Sequence, residues 1–435
     1  MDAYLQGLFS HSRERIQPQA AHFVSVTQGL TRKMTKSDRI AVCIVVENLP
    51  VPLDRRVWKE ACALTDAGYQ VSVICPKGKG YEASRERIDG IDIYRHRSWE
   101  ASGALGYLLE YSWSLLAELY LTLKVYSRTR FRVLQACNPP DTIFLIALLF
   151  RLVGVRFVFD QHDLGPELYE AKFGSRGGPI YAALRFLEAR SFRLAHSCLA
   201  TNDSFREIAI ARGGKDPDSV FVVRNCPDLS TFDRPRPARC DKFGKAHLVA
   251  YVGFMGAQDG VEILLEAIDH LVRRLGRRDI HFLLIGDGTS LDELKAIVAN
   301  RQLSDYVTFT GRVKHSQVAD YLAQSDMGVS PDPKNPMNDK LTMVKILEYM
   351  AFGLPIVLFD LEEGRRIAGS AGVYASPNDP GDFAEQIAML LDRPDLRARM
   401  GAAGRSKVET ELNWGQEKKS LIRAYEAAFQ DSHAR

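Results

Sequence analysis

A lysine and a glutamate in one predicted helix are the most informative pair of the sequence. Lys345 and Glu348 lie three residues apart within segment 335–357, where a polar loop runs into a helix that ends at Gly353. This spacing puts both side chains on one side of the helix, near its N-terminal half. Helix-start N–H groups and a lysine suit a phosphate, and a carboxylate can accept from ribose hydroxyls. The pair therefore indicates a nucleotide site, although an ordinary surface ion pair has the same spacing.

Two glycine-containing turns could add phosphate contacts. Gly256 and Gly260 bracket the turn after one predicted strand, and Gly286 and Gly288 bracket the turn after the next. Glycines let backbone N–H groups and a helix start approach a diphosphate closely. They also serve turns that need only a positive φ, so both interpretations stay open. Neither turn has the full G-x-G-x-x-G spacing, which disfavours a nicotinamide dehydrogenase.

A histidine stands at a third position of interest. His162 follows the predicted strand 157–160, at its carboxyl end, where open α/β sheets place their ligands. Asp160, Asp163 and Glu167 crowd the same turn. This crowding favours a functional histidine over one that is satisfied inside a loop.

The elements that must position these residues follow an alternating pattern. Asp54 is the predicted N-cap of a helix that ends near Ala67, with Gly68 as its C-cap. A polar, Pro-rich stretch at 225–240 separates two α/β series, and a helical tail over about 396–429 closes the chain. The predicted strands are 40–46, 71–75, 132–136, 157–160, 197–201, 220–223, 248–252, 280–285, 306–309, 327–329 and 355–359.

Composition excludes several classes of protein. The chain has 435 residues, 46% of them hydrophobic and 26% charged, which is typical of globular proteins and too long for one domain. Its formal net charge is +3, and residues 1–37 carry that whole excess, so no overall field attracts nucleic acid. The seven cysteines never show C-x-x-C spacing, which favours reduced thiols. Without an apolar stretch of about 20 residues, a cytoplasmic protein is predicted.

The segment E348-Y-M-A-F-G-L-P-I-V357 resembles the E-A-M-A-x-G-x-P-V-V signature of the retaining glycosyltransferase family 4. Segments 248–260, 283–288, 307–312 and 159–163 are similar to further pieces of that family, and they occur in its order. The resemblance implies an α/β protein with the GT-B fold, which has two facing Rossmann-like domains and a C-terminal helix that returns toward the N-terminal domain.

The pattern and the resemblance together predict five parts of the chain. We expect a nucleotide-sugar donor domain to follow an acceptor domain. The predicted parts are a mobile basic arm (1–37), an N-terminal acceptor domain (38–232), a linker (233–245), a C-terminal donor domain (246–405), and a crossover helix with its tail (406–435).

The resemblance also implies roles for individual residues. It puts His162 near the transferred sugar and its phosphate, and it gives catalytic roles to Lys345 and Glu348. It implies that one further set of residues binds the donor. That set is Gly256, Gly260, Gly286, Gly288 and Arg312, and Lys340 is predicted to bind the donor as well, although it departs from the family pattern.

Three positions depart from the family pattern. Many members have an Arg and a Lys in the first glycine turn, where this chain has Phe254 and Asp259, so that diphosphate clamp is missing. The first of the family's paired glutamates is replaced by Lys340, eight residues before Glu348. We expect Lys345, with Lys340, to supply the missing positive charge.

The family mechanism implies retention of anomeric configuration by same-face attack, with the leaving phosphate taking the acceptor proton. Lys340 occupies the position that might have offered a carboxylate nucleophile. No metal and no cofactor are expected, because the nucleotide-sugar is a co-substrate. The single D-x-D, Asp216-Pro217-Asp218, is predicted to be a turn.

The acceptor side is predicted from the loop after the first strand. Asn48 and Arg55 lie there, facing the predicted cleft, and Asp163 is also predicted on the acceptor side, although Arg55 and Arg56 are also typical surface arginines of a first helical turn. Segments 135–141 and 160–169 resemble enzymes of bacterial exopolysaccharide and O-antigen assembly. That subset implies a glycan or polyprenyl-linked acceptor and possible peripheral contact with the inner membrane face.

An amphipathic helix is predicted over 105–123. Its apolar side is expected to pack in the core, because its polar stripe of Glu110, Ser114 and Glu118 would repel anionic lipid. The predicted apolar side consists of Leu109, Trp113, Leu116, Tyr120 and Leu123. The basic arm is then the better membrane candidate.

Two other functions stay open. One is a sugar-nucleotide epimerase of the GT-B fold, which needs no acceptor. The other is a non-catalytic sugar-nucleotide-binding scaffold, which the departures at Phe254, Asp259 and Lys340 keep possible.

Overall fold

The structure is a computed structural model that describes residues 39–97, 103–229 and 242–429. The predicted basic arm and residues 233–241 of the predicted linker lie outside the described residues. Chain contacts divide the described residues into two compact units. The smaller unit comprises 39–160, 194–196 and 425–429, and the larger unit comprises 161–193 and 197–424.

The smaller unit contains strands that pair in the order β3-β4-β2-β1-β5-β6. All neighbours are parallel except β3 and β4, which form an antiparallel hairpin. Its elements are β1 (Ala41–Val45), α1 (Arg55–Asp66), β2 (Gln70–Pro76), β3 (Arg85–Ile88), β4 (Ile91–His96), α2 (Gly103–Thr129), β5 (Val133–Cys137), α3 (Phe144–Arg151) and β6 (Arg156–Gln161).

The local signals of the first βαβ unit act as predicted. Every residue of β1 is buried, as a continuous apolar run in a central parallel strand requires. The side chain of Asp54 accepts a hydrogen bond from the Val57 N–H and caps α1. Gly68 follows the C-cap of α1 with φ +93°, a conformation that glycine adopts without steric cost.

The larger unit contains a six-stranded sheet in the order β11-β10-β9-β12-β13-β14, parallel throughout. The parallel pair of β7 with β8 also belongs to this unit. Its elements are α4 (Gly165–Phe173), α5 (Pro179–Leu194), β7 (Ser197–Ala200), α6 (Asp203–Ala211), β8 (Val220–Val222), β9 (His247–Val252), α7 (Val261–Arg273), β10 (Ile280–Ile285), α8 (Leu291–Asn300), β11 (Val307–Gly311), α9 (His315–Gln324), β12 (Met327–Ser330), α10 (Val344–Ala351), β13 (Ile356–Phe359), α11 (Glu362–Ala368), β14 (Gly372–Ala375), α12 (Pro380–Leu391) and α13 (Pro394–Thr410).

The core of the larger unit lies on both faces of this sheet. On one face α7 and α12 pack around Val249, Phe282 and Phe383. On the other face α10 packs through Leu347 and Tyr349. The sheet therefore lies between two layers of helices. The loops at the carboxyl ends of its strands can present polar groups.

The tail and three strands refine the predicted elements. The predicted tail is two helices, because α13 ends at Thr410 and α14 (Trp414–Ala427) starts anew. Helix α14 begins in the larger unit, and its last residues, from Tyr425, belong to the smaller unit. Strands β3, β4 and β14 were not predicted, whereas Asp216-Pro217-Asp218 is a turn, as predicted.

The predicted core packing of the helix over 105–123 is wrong. Trp113, Leu116 and Tyr120 on α2 are exposed, whereas Ser114 and Glu118 are buried. The polar stripe faces inward, and the apolar stripe faces solvent. The position of Leu109, which was predicted in the same stripe, lies outside the described side chains. In the part of the chain that the structure describes, no helix is long and apolar enough to cross a bilayer.

Candidate functional site

Lys345 lies at the carboxyl edge of the six-stranded sheet. Helix α10 begins at Val344, so Lys345 is in its first turn, as predicted. Its ammonium donates to Asp332 Oδ1 over 2.7 Å and lies 4.8 Å from the centre of the Tyr251 ring. Lys345 is only 8% exposed, so the acid and the ring hold its charge in place. We call Lys345, Asp332, Tyr251 and Asp259 the lysine site.

Asp332 is a member of this site that sequence reasoning missed. It follows β12 by two residues, and the hydroxyl of Ser330 donates to its second oxygen. Asp332 is 1% exposed, which makes its pairing with the ammonium necessary. The available signal was an acid directly after a buried strand of a parallel sheet, where ligand-site residues gather.

Asp259 replaces the family's lysine in the first glycine turn, and the structure gives it a local role. Its Oδ2 accepts a hydrogen bond of 3.0 Å from the Gly256 N–H. Burial raises the pKa of Asp259 to about 6; attraction by Lys345 opposes this rise, and repulsion from Asp332 adds to it. The Lys345 ammonium thus attracts two carboxylates, those of Asp332 and Asp259.

Three of the four glycines in the two turns, Gly260, Gly286 and Gly288, are required by close chain packing. Gly260 has φ +71°, and a Cβ there would lie 2.0 Å from the carbonyl oxygen of Pro331. A Cβ on Gly286 would lie 1.9 Å from the carbonyl oxygen of Gly253, and one on Gly288 would meet the backbone of the first glycine turn at 2.4 Å. The packing accounts for these three glycines by itself, so their contact with phosphate stays a prediction.

Backbone hydrogen bonds join the two glycine turns. The Met255 N–H donates to the Asp287 carbonyl over 3.0 Å, and the Ser290 N–H donates to the Met255 carbonyl over 2.9 Å. Arg312 follows β11 at the same edge; burial lowers its pKa, and attraction by Asp287 opposes that effect. The predicted donor residue Arg312 is therefore within electrostatic reach of the second glycine turn.

Lys340 and Glu348 have different surroundings from Lys345. Lys340 ends a short 3-10 turn, and its ammonium lies 3.6 Å from a carboxylate oxygen of Glu362. The ammonium of Lys340 thus forms its ion pair with an acid at the start of α11. Glu348 is half-buried on α10, and its charge contributes to the raised pKa of the buried Tyr349, after the larger effect of burial.

The acids around His162 separate into two kinds. Glu167 binds the Arg212 guanidinium, which also contacts Glu188, so Glu167 belongs to a structural ion cluster. Asp163 is next to His162; burial raises its pKa, and attraction by His162 opposes the rise. His162 directly follows β6, as predicted, and Asp163 is its acidic neighbour.

On the predicted acceptor side, the two neighbouring arginines differ completely. Arg55, the first residue of α1, is exposed. Arg56 is buried, and its guanidinium donates to Asp160 over 2.6 and 3.2 Å and lies 3.2 Å from Glu60. Asn48 is half-buried in the loop after β1. Of the two arginines, only Arg55 can meet a ligand from solvent.

The acids of Arg56 belong to a larger buried network. The amide of Gln135 donates to Glu60 over 2.7 Å and to Asp160 over 3.2 Å, and its oxygen accepts from the Tyr425 hydroxyl. We call these five residues, Arg56, Glu60, Gln135, Asp160 and Tyr425, the arginine cluster. All of them belong to the smaller unit, and Tyr425 brings the end of α14 into it.

Comparison with known proteins gives two family matches. The model "Glycosyl transferase 4-like domain" matches residues 53–226, and "Glycosyl transferases group 1" matches residues 246–393. A curated relative, an alpha-D-kanosaminyltransferase from Streptomyces kanamyceticus, is 32% identical over 35% of this chain and 38% of its own length. The chain spans less than two thirds of the length of the first curated relatives it matches.

Solved structures agree over nearly the whole chain. Sucrose-phosphate synthase from Thermosynechococcus elongatus has a TM-score of 0.73 at 18% identity, covering 90% of this chain and 99% of its own. Anabaena Alr3699/HepE in complex with UDP and glucose has a TM-score of 0.67 at 13% identity, covering 89% and 100%. The predicted GT-B fold is thereby confirmed. Two glycosyltransferase family models thus match in order along one chain with this fold, which supports a GT-B glycosyltransferase.

Proposed function

We propose that this protein transfers a sugar from a nucleotide-diphosphate donor to a glycan or lipid-linked acceptor, with retention of anomeric configuration. The lysine site carries the proposal, since it fixes an ammonium in the first turn of α10, at the carboxyl edge of a parallel sheet. Two similar proteins agree in chemistry: one is an alpha-D-kanosaminyltransferase, and the other, Anabaena Alr3699/HepE, was solved in complex with UDP and glucose.

In the proposed reaction the leaving diphosphate gains charge while the sugar becomes oxocarbenium-like. The bond from the anomeric carbon to phosphate oxygen breaks, and a bond from that carbon to the acceptor oxygen forms on the same face. The acceptor proton passes to the leaving phosphate oxygen, so no protein base has to accept it. The Lys345 ammonium and the first N–H groups of α10 stabilise the developing phosphate charge.

Asp332 positions the ammonium for this role. A lysine without a partner would sample many rotamers, whereas the 2.7 Å bond to Asp332 holds the charge before the donor binds. We assign Glu348 to the ribose hydroxyls, His162 to the transferred sugar, and Gly256, Gly260, Gly286, Gly288, Lys340 and Arg312 to the donor. We expect neither a metal nor a cofactor.

We place Asn48, Arg55 and Asp163 on the acceptor side. The resemblance of segments 135–141 and 160–169 to surface-polysaccharide enzymes supports a glycan or polyprenyl-linked acceptor. The process would then be the synthesis of a bacterial surface polysaccharide at the cytoplasmic side of the inner membrane.

The test begins by identifying the donor. Thermal unfolding with UDP-, GDP-, ADP- and dTDP-sugars should reveal one nucleotide that raises the melting temperature, because a ligand of the native state stabilises it. Release of nucleoside diphosphate is then measured with and without polyprenyl-linked glycans. We expect release only when an acceptor is present, and NMR of the product should show the anomeric configuration of the donor.

Other outcomes would overturn the proposal. Interconversion of the donor sugar without an acceptor would identify an epimerase. Tight donor binding with no hydrolysis and no transfer to any acceptor tested would identify a scaffold. Inversion of the anomeric centre would contradict the same-face mechanism while leaving a transferase.

A further inference from the structure

Helix α2 exposes its apolar stripe. Trp113, Leu116, Tyr120 and Leu123 are between 49% and 64% exposed. They recur at three- and four-residue intervals, so they form one continuous face of the helix. Amphipathic helices in globular proteins turn such a face to the core, and its exposure here requires an explanation.

Helix α3 repeats this arrangement. Leu145, Leu148 and Leu149 are exposed on it, and Leu152 and Val153 follow directly after its end, with Leu152 81% exposed. Its opposite face, with Phe144, Ile146, Ala147 and Phe150, is buried. Five apolar side chains within nine residues thus point to solvent from a short helix.

The two exposed faces are neighbours. The ring of Tyr126, three residues after Leu123 on α2, lies 5.2 Å from the ring of Phe150 on α3. Both rings also contact Phe131, at 5.1 and 5.2 Å. This aromatic cluster joins the helices, so their outward faces adjoin on the surface of the smaller unit. We call the nine exposed residues the apolar patch: Trp113, Leu116, Tyr120, Leu123, Leu145, Leu148, Leu149, Leu152 and Val153.

The chain segment that carries the apolar patch has mainly basic exposed charges, and Glu110, one turn before Trp113, is a half-buried acid just ahead of it. Between residues 111 and 159 the sequence has two acids, Glu118 and Asp141, and both side chains are buried. Its basic residues in the same range are Lys124, Arg128, Arg130, Arg132, Arg151 and Arg156. Within segment 111–159 the exposed charged side chains are therefore basic. Glu118 is fully buried, and burial, followed by repulsion from Glu47, raises its pKa well above the usual range.

These observations distinguish between occupants. A second copy of this chain would bring one basic rim against another, and the like charges would repel. An anionic bilayer instead complements the rim, and its interface accommodates leucine side chains together with tryptophan and tyrosine rings.

We propose that the apolar patch on α2 and α3 binds the surface of an anionic lipid bilayer. Its leucines enter the boundary between headgroups and acyl chains, and the basic residues beside it bind lipid phosphates. This contact requires neither donor nor acceptor, so it is independent of the transfer reaction proposed above.

The test is co-sedimentation of the full chain with vesicles. One set is pure phosphatidylcholine, and the other contains about 30% phosphatidylglycerol. We expect binding to the anionic set and at least about tenfold weaker binding by Leu148→Glu/Leu152→Glu, because two charges would have to leave water. Both residues are exposed, so the variant should keep the wild-type melting temperature.

Two further variants sharpen the result. Leu275→Glu changes a leucine of similar exposure in the larger unit and should bind as the wild type does. Arg128→Glu should weaken binding to anionic vesicles. High salt should lower the vesicle affinity of this variant by a smaller factor than it lowers that of the wild type. Binding of the double variant equal to that of Leu275→Glu would overturn the proposal, as would wild-type protein that stays in solution with both vesicle sets. A dimer that the double variant dissociates would assign the patch to a second copy instead.

The test is separate from the transferase assay. Nucleoside diphosphate release with a water-soluble acceptor should be the same for the wild type and the double variant. Loss of vesicle binding with full turnover of a soluble acceptor supports membrane binding by the apolar patch. If neither protein shows turnover, the proposed transfer reaction fails, but the vesicle-binding result still stands.

Discussion

Two buried cations in this protein have opposite surroundings. Arg56 in the arginine cluster contacts two acids, and Gln135 bonds those same acids from another side. Lys345 in the lysine site has one ion-pair bond, to Asp332, and a ring beside it. The first cation is enclosed by its partners in a side-chain network. The second is at a loop edge where glycine turns and a helix start meet.

The difference separates a cation that stabilises from one that can act. A guanidinium between two carboxylates cannot leave them without exposing buried acids, so its charge is committed to the fold. A lysine with one acid partner keeps two ammonium protons for other acceptors. The family resemblance alone did not distinguish the arginines 55 and 56, and the contacts do.

Removal of the arginine should have the largest effect. We expect Arg56→Met to lower the free energy of unfolding by about 3–5 kcal/mol, because Glu60 and Asp160 would stay buried without their cation. Thermal or urea unfolding measures the loss. Arg55→Met is the matched control, with a change within about 0.5 kcal/mol for an exposed neighbour. Equal stability of the two variants would contradict the role of the cluster.

Removal of the lysine should affect turnover. If the proposed function holds, Lys345→Ala should lower kcat about 10²–10³-fold, as the loss of one preorganised transition-state contact does. Lys242→Ala is the control, since Lys242 also bonds an aspartate, Asp326, over 2.7 Å in the same unit. It should keep full turnover. Near-normal activity of folded Lys345→Ala protein would remove Lys345 from the mechanism.

The third prediction concerns the acid that shares the lysine site. The pKa of Asp259 is about 6 in the folded chain against 3.8 for an ordinary aspartate, so the native state binds more protons between these values. The titration of Asp259 therefore lowers the free energy of unfolding as the pH rises from about 4 to about 6. The free energy of unfolding of Asp259→Asn minus that of the wild type should therefore be about 1–2 kcal/mol larger at pH 7.5 than at pH 4.5. A difference that is the same at both pH values would contradict this assignment.

The smallest expected effect lies at the edge of the arginine cluster. Tyr425→Phe removes the hydroxyl that donates to Gln135 and leaves a buried amide oxygen with one partner fewer. We expect a loss of about 1 kcal/mol in the free energy of unfolding. Tyr69, whose ring packs edge-on against Tyr425 at 5.8 Å, provides Tyr69→Phe as a control that keeps this ring contact. A larger loss in the control would put the stabilisation in the rings.

The central strands and the caps could be predicted because their signals are local. The run 40–46 became β1, and Asp54 and Gly68 mark the ends of α1 as expected. The β3–β4 hairpin was missed although Asp89 and Gly90, both with positive φ, are its turn. Strand β3 has the sequence R-E-R-I and is mostly exposed, so it shows no apolar alternation.

The partners of charged residues could not be predicted, because they depend on tertiary contacts. Lys345 and Glu348 were paired by helical spacing, yet the ammonium bonds Asp332, which lies thirteen residues away in sequence. The predicted orientation of α2 was wrong for a related reason. Its polar stripe looks solvent-facing by composition, but Ser114 and Glu118 are buried in the fold, and burial raises the pKa of Glu118 well above its usual range.

The contact between Tyr425 and Gln135 has a consequence for synthesis. These residues are 290 positions apart in sequence, and the tyrosine is near the end of the chain. A ribosome makes the strands of the smaller unit first, but it must translate the whole larger unit before the hydroxyl that completes their buried network exists. The buried network is thus completed only after the larger unit has been translated, and a nascent chain that stalls before α14 would leave the amide oxygen of Gln135 without this donor.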